Sequence, residues 1–290
     1  MNTRNIETKN FQWTSALTFA YNKEEITKLT GTANDKVING DYTYAVGSAI
    51  NSFYHYKLDG IWQKGEEADA AVFGLKPGSI KINVPDMVRH TDTDGSVYYT
   101  KVNADGQEIR YDASNTYSVS ADDYQVLGHN SPDWTMGFQN TLTYKDFDLS
   151  IYMYMRWGQM IKYSVLTDYD PTGLNNYPTY FNVWSETNPS NDFPAMDASI
   201  KDKLSYYPGF AALSYVDGSS FKIKNITLGY TMPDKLAKKL GLGKLRVYGT
   251  ITNPFVIAKS HLLKDYDPEM NGGLNYPLTK QLVFGLNLSF

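Results

Sequence analysis

The feature that most constrains this chain is an alternation of apolar and polar side chains that returns along its whole length. In 11–21, F-Q-W-T-S-A-L-T-F-A-Y, the side chains of Phe11, Trp13, Leu17, Phe19 and Tyr21 fall on one face of an extended backbone. Gln12, Thr14 and Thr18 fall on the other. Successive residues of a strand point to opposite sides, so this period of two reads as β-structure with one apolar face. The pattern recurs in 52–62, 134–144, 147–157, 220–231, 244–253 and 281–290, which makes seven expected strands. In the last, Leu282, Phe284, Leu286, Leu288 and Phe290 occupy every second position and run to the final residue. A change of phase near Asn225 predicts a β-bulge. Lys145 and Asp146 alone separate two of the segments, which predicts a two-residue hairpin turn.

Most of these segments match the length of about 9–11 residues that a tilted strand needs to span a membrane. Their connections sort by length. With the C-terminus on one side, 22–51, 145–146 and 232–243 lie on that side. The longer 63–133, 158–219 and 254–280 lie on the other, and are rich in Asp, Asn, Pro, Gly and Tyr. Short turns on one side and long loops on the other is the layout of an outer-membrane barrel. The expected fold is therefore all-β, an antiparallel transmembrane β-barrel. A soluble β-sandwich is the competing fold, but it has no reason to sort its loops.

The chain holds 24 Tyr, 13 Phe and 5 Trp. Trp134 and Tyr144 end one segment, Phe147 and Trp157 the next. Aromatic residues at both ends of a spanning strand are what girdles at two membrane interfaces require. Trp13, Phe19, Trp134, Phe138, Tyr144, Phe147 and Trp157 are thus the candidate lipid-facing and girdle residues. Mean hydropathy is only −0.43, and no run approaches the ~18 apolar residues of a membrane helix. A barrel tolerates this, because half of each strand is polar. The formal net charge of −4 favours no nucleic-acid partner. Absence of cysteine excludes disulfides and thiolate metal sites. The first thirty residues show no apolar stretch of the kind that marks a secretion signal.

Several stretches resemble the SusC/RagA family of TonB-dependent outer-membrane transporters of Bacteroidetes. They include F-Y-H-Y-K-L-D-G-I-W-Q (53–63), L-K-P-G-S-I-K (75–81) and V-L-G-H-N-S-P-D-W-T-M-G-F-Q-N-T-L-T-Y-K-D-F-D-L-S (126–150). F-K-I-K-N-I-T-L-G-Y-T-M-P (221–233), L-R-V-Y-G-T-I-T-N-P-F (245–255), Y-D-P-E-M-N-G-G (266–273) and Y-P-L-T-K-Q-L-V-F-G-L-N-L-S-F (276–290) continue the match in order. The resemblance implies that residues 1–290 are the C-terminal part of a barrel of about 22 strands. It locates the protein in the outer membrane of a Gram-negative cell. The family's signal peptide, TonB box and plug are not recognised in these residues. Implied partners are a SusD-like surface lipoprotein and outer-membrane lipid, with the TonB complex reached through the N-terminal region. The barrel assembly machinery would read the terminal strand. The implied cargo is an oligosaccharide or a peptide. The alternative, from another class, is a surface glycan-binding or adhesion β-protein without transport.

Enzyme chemistry finds no constellation. His55, His90, His129 and His261 are scattered, with no H-E-x-x-H pattern and no G-x-S-x-G elbow. Gly241, Gly243 and Arg246 outline a dinucleotide fingerprint that lacks its third glycine. No catalytic, cofactor or metal site is expected. Asp92-Thr-Asp94-Gly95 and Asn103-Ala-Asp105-Gly106 resemble the middle of a calcium loop. Their opening ligand positions are His90 and Lys101, so type I′ hairpin turns are the better reading. Pro233 to Leu240 reads as a short amphipathic helix, and Tyr266 to Gly273 as a fixed turn. The loop 158–219 carries Tyr163, Tyr169, Tyr177, Tyr180, Phe181, Trp184, Tyr206, Tyr207, Phe210 and Tyr215. Of these, Tyr177, Tyr180, Phe181 and Trp184 are the candidates for substrate or lid contact. Packing within the loop is the competing role for the same rings.

Overall fold

In the computed structural model, which describes residues 1–29, 31, 36–168, 177–197 and 209–290, the alternating segments are strands. Along the chain, β1 (Asn2–Glu7) and β2 (Phe11–Tyr21) come first. They are followed by β3 (Lys36–Asn39), β4 (Tyr42–Ala45), β5 (Ser52–His55), β6 (Lys57–Ile61) and helix α1 (Glu67–Val72). Next are β7 (Ile80–Asn83), β8 (Val88–Thr91), β9 (Val97–Val102), β10 (Glu108–Tyr111) and β11 (Gln125–His129). Then come β12 (Trp134–Tyr144), β13 (Phe147–Trp157), β14 (Met160–Lys162), α2 (Val165–Asp168) and β15 (Tyr215–Asp217). The chain closes with β16 (Ser220–Thr231), α3 (Asp234–Lys239), β17 (Lys244–Ala258) and β18 (Gln281–Ser289).

Met1–Lys23, Ser131–Ile161 and Asp217–Phe290 form one unit. Its body is a seven-stranded antiparallel sheet in the order β1-β2-β12-β13-β16-β17-β18. The count of seven agrees with the sequence reading, but the membership differs. Residues 52–62 are not a wall strand. Ser52, Phe53 and Tyr54 are all buried, so both faces of β5 are covered, whereas the wall strand β13 has no buried residue. Tyr56 interrupts the ladder, and Gly60 at φ 101° bends the chain beyond it. The vacant place belongs to β1, whose N-T-R-N-I-E lacks an apolar alternation and was invisible to it. Residues 22–133 are consequently one connection, and 22–51 moves to the long-loop side. The short side keeps 8–10, 145–146 and 232–243, so the sorting is cleaner than expected.

The hairpin at Lys145 and Asp146 pairs Tyr144 with Phe147. Lys145 adopts φ 51°, which lets two residues reverse the chain. The register between β13 and β16 shifts between Tyr152 and Met153, where the phase change near Asn225 predicts a bulge. β17 runs past the expected end at 253 because it too is bulged there. Asn253 takes φ 52°, and Pro254 costs no ladder bond at such a point. Helix α3 follows Pro233 as expected, and Lys238 and Lys239 complement the negative end of its dipole.

Glu24–Asn130 and Lys162–Val216 form a second unit. It contains the sheets β11-β5-β4-β3, β10-β9-β8 and β6-β7. Its core includes Phe53, Ile61, Trp62, Ile80, Leu166 and Leu213, each at most 3% exposed. The Asp94-Gly95 and Asp105-Gly106 sites are hairpin turns, but not of type I′. That type needs positive φ at both central residues, and only Gly95 and Gly106 have it. Gly95 N–H donates to Asp92 O and Asp92 N–H to Ser96 O, the pattern of a turn closed by a glycine bulge.

On the polar side of the first unit, Arg246 reaches across β16 to Asp148. Its Nη2 donates to Oδ2 at 2.6 Å and its Nε to Oδ1 at 3.1 Å. Gly229 lies beneath this bridge, in register with Asp148 and Tyr248, and a Cβ there would run into both charged groups. Gly229→Leu is expected to part the pair and lower the unfolding free energy by about 1–3 kcal/mol. Urea unfolding of the detergent-extracted protein checks this, and an unchanged midpoint would show that the bridge carries no stability.

Candidate functional site

Register carries one apolar face through the sheet from β2 to β18. Leu17, Phe138 and Met153 lie in one row, and Met153 is paired with Ile223. Trp13, Leu142, Leu149, Leu228 and Gly249 form another, followed by Phe284 of β18. All seven candidate girdle residues stand on this face. Tyr21, Trp134 and Trp157 make a row at one end, with the two indoles stacked at 5.9 Å. Phe11, Tyr144, Phe147 and Tyr230 make a row at the other, with Phe147 and Tyr230 at 4.8 Å. Trp134 and Tyr144 bound a strand of 11 residues; at about 3.3 Å per residue, and with the tilt of about 40° usual in membrane barrels, a strand of this length would rise about 25 Å across a bilayer. Phe19, at 62% exposed, packs against Trp134 at 5.9 Å. Leu282, Phe284, Leu286 and Leu288 continue the apolar face on β18, Phe290 follows the strand's end, and all five are exposed. One polar spot interrupts it: Asn140 Oδ1 accepts from Trp13 Nε1 at 2.9 Å and from Ser15 Oγ at 2.7 Å.

The opposite face is polar. It carries Gln139 bonded to Ser150, Thr227 bonded to Thr250, and the Asp148–Arg246 pair. Near the long-loop end, Lys222 lies opposite Tyr154 and is only 2% exposed. Its ammonium is held by Asp267 and, at 2.7 Å, by Glu269 Oε2. Lys224 reaches Glu269 Oε1 at 2.7 Å and sits over the Tyr154 ring. Both carboxylates come from the connection between β17 and β18. Asp267 also caps the short helical turn Pro268–Met270 by accepting from Glu269 N–H. The fixed turn expected at Tyr266 to Gly273 is present, but its carboxylates face inward onto the wall. Sequence reasoning missed this cluster. The available signal was a lysine on the polar phase of a strand, with two carboxylates two residues apart in Y-D-P-E.

In the second unit, residues from both long connections meet. Asp41 Oδ1 accepts from Lys162 Nζ at 2.7 Å and from Tyr215 Oη at 3.1 Å. Burial pushes the Asp41 carboxyl up, but Lys162 and the Tyr215 hydroxyl outweigh it and hold it below its ordinary value. Burial raises the Tyr215 hydroxyl, and the Asp41 charge raises it further. His55 stacks on Tyr124 at 4.7 Å, and burial together with Lys162 disfavours its protonation.

The four contact candidates of 158–219 divide. Phe181 and Trp184 are buried: Phe181 stacks on Phe193 at 3.9 Å, and Trp184 Nε1 donates to Gln63 Oε1 at 3.0 Å. The Trp184 ring also lies on Gly78, where a Cβ would be 2.6 Å from Cε3. Tyr177, at 39% exposed, and the half-buried Tyr180 keep open surface. Tyr163, Phe210 and Tyr215 are buried, while Tyr169, Tyr206 and Tyr207 lie outside the described residues. The calcium-like carboxylates are engaged locally. Asp92 accepts from Arg110 Nη2 at 2.8 Å, and Asp94 from the Ser96 N–H and hydroxyl.

The Glu269 cluster has a pH signature. Burial pushes its carboxyl up, but the bonds from Lys222 and Lys224 prevail and hold it below the ordinary 4.5. A depressed carboxylate contributes its full stabilisation above the unfolded value and loses it as pH falls through the folded one. Hydrogen exchange in 263–273, corrected for intrinsic rates, should stay flat from about pH 7 to about pH 5 and rise below about pH 4. Exchange that rises between neutrality and about pH 5 would contradict this assignment.

No family model matches the chain. All of it aligns with a TonB-dependent receptor of Formosa agariphila at 30% identity over 314 residues. It aligns equally completely with TonB-dependent receptor SusC of Bacteroides thetaiotaomicron at 26% identity over 311 residues. Among solved structures, the RagAB peptide transporter superposes with a TM-score of 0.70 at 26% identity, covering the whole of this chain and 28% of that one. The chain spans 28% of the Formosa relative and 26% of SusC. A wall of largely alternating strands, sorted connections and these alignments converge: over its whole length the chain is similar to SusC/RagA-type TonB-dependent receptors, β-barrel proteins of the outer membrane.

Proposed function

We propose that these residues form the C-terminal part of the barrel of an active importer. The apolar face stands in lipid and the polar face lines the interior. The long connections supply the surface offered to substrate and to a SusD-like lipoprotein. The observation that carries this reading is the single apolar face through β2, β12, β13, β16 and β17, bounded by aromatic rows at the two ends of strands of 11 residues, a length that suits an outer-membrane apolar band. The free edges of β1 and β18 support a larger barrel, because unpaired strand edges are not tolerated in hydrocarbon. Energy would come from the TonB complex, acting through other parts of the receptor. The cargo is an oligosaccharide or a peptide. The solved relative is a peptide transporter, and open tyrosine faces such as Tyr177 suit sugar rings equally. The role is non-enzymatic: these residues supply wall and loops, and no bond-making step is assigned to any of them.

Phe138→Arg and Leu286→Arg place a charge on the apolar face and are expected to cost about 2–4 kcal/mol near mid-membrane. Gln139→Arg, one residue away on the polar face, should be tolerated. Folded receptor in the outer-membrane fraction of the native cell, read by immunoblot with an antibody against 158–219, checks all three. Equal assembly of the three variants would overturn the lipid-wall assignment. Recovery of the protein in a soluble fraction without detergent would favour a surface binding protein.

A further inference from the structure

Two of the three long connections build the second unit, whereas 259–280 stays with the wall. It lies on the polar face, because it covers Lys222, whose neighbour in register is Tyr154. A lysine buried to this depth is stable only while its charge is paired, and both of its carboxylate partners come from this one connection. Leu263, Tyr266 and Pro268 are buried beside the clamp. Asp265 at φ 60° and Asn271 at φ 49°, followed by Gly272 at φ 85°, set left-handed corners on either side of the D-P-E turn. The return leg is different: Leu274, Tyr276 and Leu278 are all exposed, Tyr276 at 89%. The segment is thus docked through one leg and one ion cluster, and its second leg is largely unpacked.

We propose that residues 259–273 form an inward strap that narrows the barrel interior, held down by Lys222 and swinging clear when that clamp is released. Lys222 is the cation that both carboxylates share, so removing it leaves Asp267 without its counter-charge beside Glu269. Lys224 alone, half-buried over Tyr154, reaches only Glu269. Opening needs no change in the wall ladder, because β16 and β17 stay paired beneath the strap. The inference rests on the polar face being the interior.

Leu263→Cys makes a reporter of the docked leg, in a 290-residue stretch that has no cysteine of its own. In the whole receptor on intact cells, a membrane-impermeant maleimide should label it slowly. Adding Lys222→Met should raise the rate by about tenfold or more, and Lys222→Arg should leave it slow. The double change Asp267→Asn with Glu269→Gln releases the same clamp from the loop side and guards against misassembly of the wall variant. It should also raise labelling. Surface amount is matched with an antibody to 158–219. Labelling that is already fast with Lys222 intact, or that neither variant accelerates, overturns the strap. Failure of the underlying reading is separate and shows as normal assembly of Phe138→Arg.

Discussion

A strand that enters hydrocarbon must satisfy every backbone N–H and C=O without water. Lateral pairing between strands is the solution this chain uses, and the rest of the structure hangs on it. Once pairing is obligatory, register is no longer free. The ladder from β2 through β12 to β13 places Trp13 beside Leu142 and Leu142 beside Leu149. A slip of one residue would send that whole row to the polar side. The bulges at Lys224–Asn225 and Asn253 are where the ladder absorbs an extra residue without losing that agreement.

The two units are built by different physics. The wall has almost no core of its own: one face is apolar and open, the other polar and bonded across strands. The second unit folds as a water-soluble domain does, around Phe53, Trp62, Leu166 and Leu213. Its charges serve as ties between segments. Asp123, fully buried, is held by Lys101 and by the Tyr117 hydroxyl, which sits 2.7 Å away. Arg89 bonds Asp69 across 20 residues of chain. A long connection that makes its own core can present surface to a ligand without borrowing rigidity from the membrane.

The connection 259–280 follows neither plan. It is too short for a core, and it is fastened by charge to the polar side of the wall. Buried ion pairs are poor sources of net stability, but they define one docked geometry sharply, because a mismatched position leaves a bare charge. Asp148 and Arg246, half-buried, form a second ion pair at the other end of the polar face, across Gly229. The polar face therefore carries an ion cluster near each end and hydroxyl pairing between, as at Thr227 and Thr250.

The long alternating strands, the hairpin at Lys145, the bulge near Asn225 and the helix after Pro233 were legible in the sequence. Each arises from side-chain period or from local backbone chemistry, which neighbouring residues decide. Three things were not. β1 is a wall strand made almost wholly of polar residues, recruited by pairing with β2 and by the Asn5 amide bonded to the Ser15 hydroxyl. Residues 52–62 alternate like a wall strand, but both faces of β5 are covered, which period alone cannot reveal. Lys222, Asp267 and Glu269 are 45 or more positions apart across the clamp, and their meeting depends on a loop folding back onto the polar face of the wall. By itself the sequence determined which faces were apolar, where strands turned, and that the chain resembled a barrel wall. Tertiary structure decided which strands shared that wall, that Phe181 and Trp184 were used in packing, and where the charges met. The physical reason is that periodicity is a local property of the chain, while pairing and burial are set by whatever segment arrives from elsewhere.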